Sequence, residues 1–461
     1  MIQNLCLKKN SFKWMCLHVA LGVSCLFIPW LLIVWFYIVL ISSINKIFSD
    51  LLLRNYSQYI IPLIVYLVSF EVFGRMLKSS PLIPWELSKY LIVSFSLILI
   101  LTRKSKIKTP LGIFLILLLI PGLLIDKSNS VNFSGLVFSA FGALSLGLFI
   151  VIIGDNKIKN DGFDSILRLI WFSSVSMLIY VILKTPNYSD LKLSLNANFS
   201  TSGGFGSNQV STILGVGLFL SFYAWMNKLR FSGKHNLDAF FIGLFAYQGF
   251  STFSRGGMFT GLLSMLIYYI LLTKSINYKN FVKTRRVKPL VLFGFALILI
   301  FLSYLAIETV SEGNLNLRYQ GETKTTLSGD KIKTFNTITT GRYNILKEDM
   351  ILWGNNLVFG TGAGASTPLR GNGLNQIASH TELSRLLSEH GIFGFFYFLL
   401  LIFTFFKNYS LKRKTVGSAI IFVIFFIGVT TSMHSAMRTF VSPIFIALGT
   451  MIIIDTETND I

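Results

Sequence analysis

Residues 283–309 read KTRRVKPLVLFGFALILIFLSYLAIET. Four cations fall within the first six positions, and the next charge is Glu308. A helix needs about 20 predominantly apolar residues to cross a bilayer. A basic cluster at one flank is the mark of a cytoplasmic loop. The same pattern repeats along the chain. Apolar runs fall at 19–43, 58–74, 87–102, 109–125, 133–153, 164–184, 209–226, 237–253, 257–273, 289–309, 391–406, 416–432 and 440–454. Further basic clusters fall at 103–108 and 407–414. Uninterrupted runs suit helices rather than the alternating strands of a membrane barrel. The expected fold is all-α, a polytopic membrane protein of about 12–13 transmembrane helices with one large extracytoplasmic loop.

Composition agrees with this pattern. Of 461 residues, 53% are hydrophobic and 13% charged, and 43 are Phe. Soluble domains carry about 25% charged residues, so a water-soluble enzyme is excluded. A mean hydropathy of +0.65 excludes disorder. The net charge is +21, from 41 Lys and Arg against 20 Asp and Glu. Because these cations cluster between apolar runs, they indicate membrane orientation and not nucleic-acid binding. Cys6, Cys16 and Cys25 all lie near the N-terminus, so they offer no disulfide framework. Lys8, Lys9 and Lys13 precede the first run without a small-residue cleavage site, which reads as an uncleaved span.

Placing 103–108, 154–163, 227–236, 274–288 and 407–414 in the cytoplasm leaves 126–132, 185–208, 310–390 and 433–439 outside. Thirteen crossings would then put Lys8, Lys9 and Lys13 outside, against the rule. Twelve crossings with both ends inside remove the conflict. The organisation expected is 1–309 as N-terminal transmembrane helices, 310–390 as a large periplasmic loop and 391–461 as C-terminal helices. The loop carries eight Lys or Arg and seven Asp or Glu. It is poor in core residues and is expected to fold against the helix ends.

Ionisable residues inside apolar runs are costly and mark function or pairing. Glu71 and Arg75 can pair at i,i+4. Arg168 sits where a long side chain snorkels to the cytoplasmic surface. Arg255 lies in a polar notch, Ser254-Arg255-Gly256-Gly257, between two outer ends of spans. Its guanidinium fork suits a diphosphate, and an interfacial anchor is the competing reading. Gly341-Arg342-Tyr343 opens a helical stretch that runs through Trp353. The turn Gly360-Thr361-Gly362-Ala363-Gly364 follows no strand and lacks Gly-Lys-Ser/Thr, so it reads as a tight turn, not a nucleotide cradle. His380, Glu382, Arg385, Glu389 and His390 lie on a short amphipathic stretch before the next span. The ten-residue spacing of the two histidines is not that of a zinc motif. A neutral His380 imidazole can take a proton from a hydroxyl. His434 and Arg438, on the last outer loop, are further candidates by position.

Ser254-Arg255-Gly256-Gly257, then Arg342 and Trp353, then Phe359 to Gly364, then His380 ahead of Glu389-His390-Gly391, together resemble the O-antigen polymerase and O-antigen ligase superfamily. The stretch Gly203 to Ser211, which includes Asn208, is similar to its outer-loop signature. The motifs span about 195 to 405.

The resemblance implies a glycosyltransferase at the outer face of the bacterial inner (plasma) membrane. It implies an inverting, metal-independent enzyme without cofactor, acting on undecaprenyl-diphosphate-linked oligosaccharides. Arg255 and Arg342 would hold the diphosphate and His380 would be the base, with Glu382 beside it. Asn208, Arg385, His434 and Arg438 would line the site. Membrane lipids and a chain-length regulator are the partners to expect. Ligases of the family follow the histidine with Asn, whereas Thr381-Glu382 stands here, which favours a surface-polysaccharide polymerase over a ligase acting on lipid A core or protein. A lipid-linked sugar transporter is the rival outside the class. It predicts charges along a central cavity and paired broken helices, whereas charge and polarity here concentrate in the outer loops.

Overall fold

The computed structural model describes residues 2–52, 59–101, 109–187, 195–276, 278–283, 287–411 and 415–454. The basic cluster at 103–108 and parts of those at 283–288 and 407–414 lie outside the described residues, as does part of 185–208. The fold is all-α, with a single pair of three-residue strands among the described residues. Seven helices there are long and apolar enough to cross a membrane. They are Phe133–Ile153, Asn160–Lys184, Ser207–Asn227, Arg255–Thr273, Pro289–Val310, Glu382–Phe406 and Val416–Ser435. Leu31–Asn45, Leu87–Leu101 and Leu111–Leu123 are shorter apolar helices.

Three apolar runs fold otherwise than as single spans. The run 19–43 contains the end of one helix, Ser11–Phe27, and the start of another, Leu31–Leu52. The break falls at Ile28-Pro29-Trp30, where proline has no amide for a continuing helix. The run 58–74 is Ile60–Val68 followed by Glu71–Met76. The run 440–454 is an eight-residue helix, Val441–Leu448, and then a strand, Ile452–Ile454. Eight residues rise only about 12 Å. This last segment runs back beside Val416–Ser435: a Cβ on Gly428 would meet Ile446, and one on Gly417 would meet Ile453. Every residue of Val441–Leu448 is buried, so irregular backbone next to it is shielded by protein.

The early break also resolves the N-terminal conflict. Ser11–Phe27 runs parallel to Asn160–Lys184: Ser11 meets Arg168 and Gly22 lies against Ser176 and Ile179. Ile452–Ile454 pairs in parallel with Lys157–Lys159. The start of Ser11–Phe27 and the strand Ile452–Ile454 therefore lie at the same end of the bundle as the start of Asn160–Lys184. Arg168 does not snorkel. It is 3% exposed and donates to the Cys6 carbonyl and the Ser11 and Ser165 hydroxyls, tying the N-terminus down.

The segment between Pro289–Val310 and Glu382–Leu411 holds short helices at Asn314–Tyr319, Lys324–Leu327, Phe335–Ile338, Arg342–Asn355 and Ser366–Leu369. Thr323 and Thr334 each cap a helix through reciprocal bonds with the threonine three residues on. The segment lies against the helix ends by backbone bonds, among them Thr361 N to Ser388 O at 2.8 Å and Ala363 N to Gly122 O at 2.8 Å.

The glycine-rich turn has a structural duty. The helix Glu382–Leu411 kinks at Gly391, where φ is 59°. A kink frees carbonyls from the helical ladder. Here the Ser388 and Glu389 carbonyls accept from Thr361 and Gly362 amides. A Cβ on Gly360 would come within 2.4 Å of the Glu389 backbone, and one on Gly362 within 1.9 Å of the Ile125 carbonyl. The turn is a plug for a bent helix, which agrees with the tight-turn reading.

Candidate active site

Arg255 is the first residue of the helix Arg255–Thr273, after a turn in which Phe253 takes φ 55°. Its glycine neighbours bring three helices together. A Cβ on Gly257 would sit 2.2 Å from the Ser211 carbonyl, and one on Gly256 would sit 2.8 Å from His434 Nδ1. Ser254 Oγ accepts from Ser211 Oγ at 2.8 Å and donates to Asn208 Oδ1 at 2.9 Å, which fixes the Asn208 amide. The Arg255 side chain reaches across to the large segment, where Nη2 donates to the Ile338 carbonyl at 2.5 Å.

Arg255 lines a cavity of about 560 Å3 together with Arg318 and Arg342. No carboxylate lines it among the described residues. Arg318 is 7% exposed, and its one hydrogen bond among the described residues is a long one, Nε to Phe253 O at 3.5 Å. Burial, then the like charges of Arg255 and Arg342, push its pKa down to about 10. Burial and Arg255 also lower that of Arg342, whose guanidinium bonds no described residue. Tyr319 adds a buried hydroxyl without a hydrogen-bond partner among the described residues. Phe259, Phe335, Ile338 and Leu346 give the cavity an apolar side. Three uncompensated guanidiniums beside an apolar wall form a receptacle for an anion attached to a hydrocarbon.

His380 lines a neighbouring cavity of about 200 Å3 with Ser435 and Arg438. Asn208 lines both cavities, and Thr381 lines the cationic one. The two cavities therefore adjoin across Asn208 and the 380–381 step. The histidine is held through its backbone. Arg438 Nη2 donates to the carbonyls of Ala378 at 2.8 Å and Ser379 at 2.6 Å, and Ala436 N donates to His380 O at 2.9 Å. Burial first, then the cations Arg438, Arg342 and Arg370 and finally His434, push the His380 pKa down to about 3. The imidazole is neutral at physiological pH and can accept a proton.

Two supports hold this loop. One is Asp349, fully buried on Arg342–Asn355. It accepts from Arg370 Nε at 2.7 Å, Ser384 Oγ at 2.7 Å and Ser379 Oγ at 3.0 Å. Arg370 in turn donates to Ile377 O and Ser379 Oγ. The other support is the pair Glu71–Arg75, at 2.6 Å as the i,i+4 spacing predicts. Arg75 Nη1 donates to the Arg438 carbonyl at 2.7 Å and to Gln209 Oε1 at 2.6 Å, and Glu71 Oε2 accepts from Phe440 N at 2.8 Å.

The remaining candidates divide. Glu382 is fully buried, with Oε1 on Arg385 Nη2 at 2.5 Å and Oε2 on Met437 N at 3.0 Å, and it lines none of these cavities. Arg385 faces a third cavity. His434 is close to Gly256, and its Nε2 is buried without a partner among the described residues. His390 is wedged against Gly122, where a Cβ would lie 2.2 Å from Nδ1, and Glu389 accepts from Ser139 and Ser366. Arg318, Asp349 and Arg370 escaped sequence reading. A cation next to an aromatic residue in the Arg318-Tyr319 pair was the one local signal.

Residues 239–399, about a third of the chain, match the family model described as O-antigen ligase. No curated protein and no solved structure matches. The matched segment contains Arg255, Arg318, Arg342, Asp349, Arg370 and His380, while Asn208, His434 and Arg438 come from outside it. Over that segment, on an all-helical architecture with seven helices long and apolar enough to cross a membrane among the described residues, the chain is similar to the O-antigen ligase family.

Proposed function

We propose that this protein is an inverting glycosyltransferase that joins oligosaccharide repeats carried on undecaprenyl diphosphate, acting as a polymerase at the outer face of the bacterial inner membrane. The observation that carries the reading is the carboxylate-free cavity of Arg255, Arg318 and Arg342 adjoining His380. The arginines hold the diphosphate of the donor, and the apolar wall takes the first part of its lipid tail. His380 accepts the proton of the acceptor hydroxyl. The hydroxyl oxygen attacks the anomeric carbon from the face opposite the diphosphate. The bond from that carbon to the diphosphate oxygen breaks, and its electron pair leaves with the diphosphate. One displacement inverts the anomeric centre and yields extended glycan and polyprenyl diphosphate. The guanidiniums neutralise the charge that develops on the leaving group.

The depressed basicity of His380 fits this cycle. Three of the groups that lower its pKa are arginines. A bound diphosphate offsets their field, so the imidazole becomes a stronger base when the donor is present. Glu382, buried against Arg385 and Met437, orients the start of its helix.

Transfer of finished glycan by the same chemistry, a ligase reaction, is the second reading, favoured by the description of the matching family. Cells lacking the protein, complemented with wild type or His380→Ala at matched level, separate the two. A polymerase defect leaves single repeats on the surface anchor without a ladder. A ligase defect leaves long glycan on the carrier. Wild-type glycan from His380→Ala would overturn the base assignment.

A further inference from the structure

The third cavity differs in chemistry from the cationic one. Its volume is about 290 Å3, and it lies between the start of Phe133–Ile153, the glycine-rich turn and the helix that begins at Glu382. Its ionisable residues, Arg385 and Glu389, are already engaged: Arg385 pairs with Glu382, and Glu389 accepts from Ser139 and Ser366. The cavity thus offers no free cation to a phosphate. It offers hydroxyls and an amide beside an aromatic ring. Thr367 Oγ1 and Asn132 Nδ2 have no protein partner among the described residues, since Asn132 uses only Oδ1, to cap its helix at Gly135 N. Phe138 is fixed: Lys89 Nζ lies 5.2 Å from its ring centroid and donates to its carbonyl at 3.1 Å. Gly135 and Gly364 contribute only backbone to the wall. Free donors and acceptors beside an apolar platform are the chemistry that recognises a neutral sugar ring. The volume, at the lower end of the ligand-pocket range of about 300–1,000 Å3, suits a short saccharide.

Its place makes the connection to the reaction. Ala378 and Ser379 line this cavity, and the next residue, His380, lines the cavity beside the arginines. We propose that the third cavity is a saccharide subsite, which holds the acceptor glycan one or more sugars behind the residue whose hydroxyl reaches His380. The assignment rests on the glycosyltransferase reading, and it explains how an enzyme with one cationic pocket distinguishes the incoming glycan from the departing lipid.

The test uses the full chain in lipid nanodiscs and two probes. One is the soluble oligosaccharide released by mild acid from the host's own lipid-linked repeat. The other is a short-chain polyprenyl diphosphate. Thr367→Trp fills the cavity from its rim. Phe138→Leu removes the ring and keeps an apolar side chain. Wild type should bind the saccharide, and each variant should bind it about tenfold or more weakly, with diphosphate affinity unchanged. Arg342→Ala should do the reverse. Saccharide affinity equal to wild type in both cavity variants, or no saccharide binding by wild type, would overturn the subsite. Loss of diphosphate binding by wild type would instead remove the donor reading and leave the saccharide result to stand by itself.

Discussion

Arg318→Met is the most informative substitution, because function and structure predict opposite signs for it. Arg318 is 7% exposed, makes one long hydrogen bond and faces two other arginines. Burial, then the like charges of Arg255 and Arg342, push its pKa down to about 10. At about 1.36 kcal/mol per pH unit, the charged side chain costs the empty protein on the order of 3 kcal/mol. The sign follows from protonation. Arginine is charged in both folded and unfolded chains at pH 7, and a lowered folded pKa means the fold disfavours that charge. Methionine keeps the apolar stem and removes the charge, so the unliganded protein should gain about 1–3 kcal/mol. Diphosphate binding should suffer. A hydrogen bond to a charged group contributes about 1.5–3 kcal/mol, so the dissociation constant should rise about 10–100-fold. Thermal unfolding in detergent, with and without a short-chain polyprenyl diphosphate, reads both quantities. The variant should melt higher than wild type alone and gain less from the ligand. A variant that melts lower alone, yet gains as much as wild type, would refute the idea that Arg318 is kept for an anion.

Other outcomes follow from the same geometry. His380→Ala should lower kcat about a hundred- to ten-thousandfold and leave diphosphate binding intact, measured on purified protein with lipid-linked donor. The pH profile carries a signature. With His380 near 3 in the free protein, kcat/KM should show no acid limb from it between about pH 5 and 8. In the donor complex the offset of Arg342, Arg370 and Arg438 raises that pKa, so the acid limb of kcat should lie at higher pH than that of kcat/KM. Coincident limbs near the ordinary histidine value would contradict the cationic surroundings. Asp349→Ala strands buried Arg370 and should cost about 3–5 kcal/mol by thermal unfolding, with much of it recovered in Asp349→Ala/Arg370→Met.

The fold class was legible because hydropathy alone decides it. Phe133–Ile153 and Pro289–Val310 fall almost where the apolar runs end. The runs 19–43 and 440–454 failed for one reason: apolar character says that a stretch is buried, not that it is one helix. Pro29 breaks the first, and the second completes its return as a strand. In the site, Arg255 was readable because glycines and polar residues are conspicuous between apolar runs. Arg342 was readable by its place at a helix start. Arg318 carries no such local mark, and its place beside Arg255 and Arg342 appears only when their segments converge. Glu382 drew attention by standing two residues from His380, but its side chain pairs at i,i+3 with Arg385. Nearness along the chain misled there, since a helix turns successive side chains to different faces.

The reach of Glu71 and Arg75 bears on how such an enzyme can be divided or recombined. The segment matching the family begins at residue 239, yet the backbone of Arg438 and Phe440 hangs from a helix near residue 75. A fragment cut to the matched segment would keep Arg255, Arg318, Arg342 and His380 but lose both Arg438, which holds the His380 loop, and the Glu71–Arg75 pair that anchors it. Chimaeras that exchange the first spans between relatives should therefore stay active only when the residue at 75 and the backbone it grips travel together. The part of the chain before the matched segment is then a brace for the loop that carries His380, and not only a set of spans in the membrane.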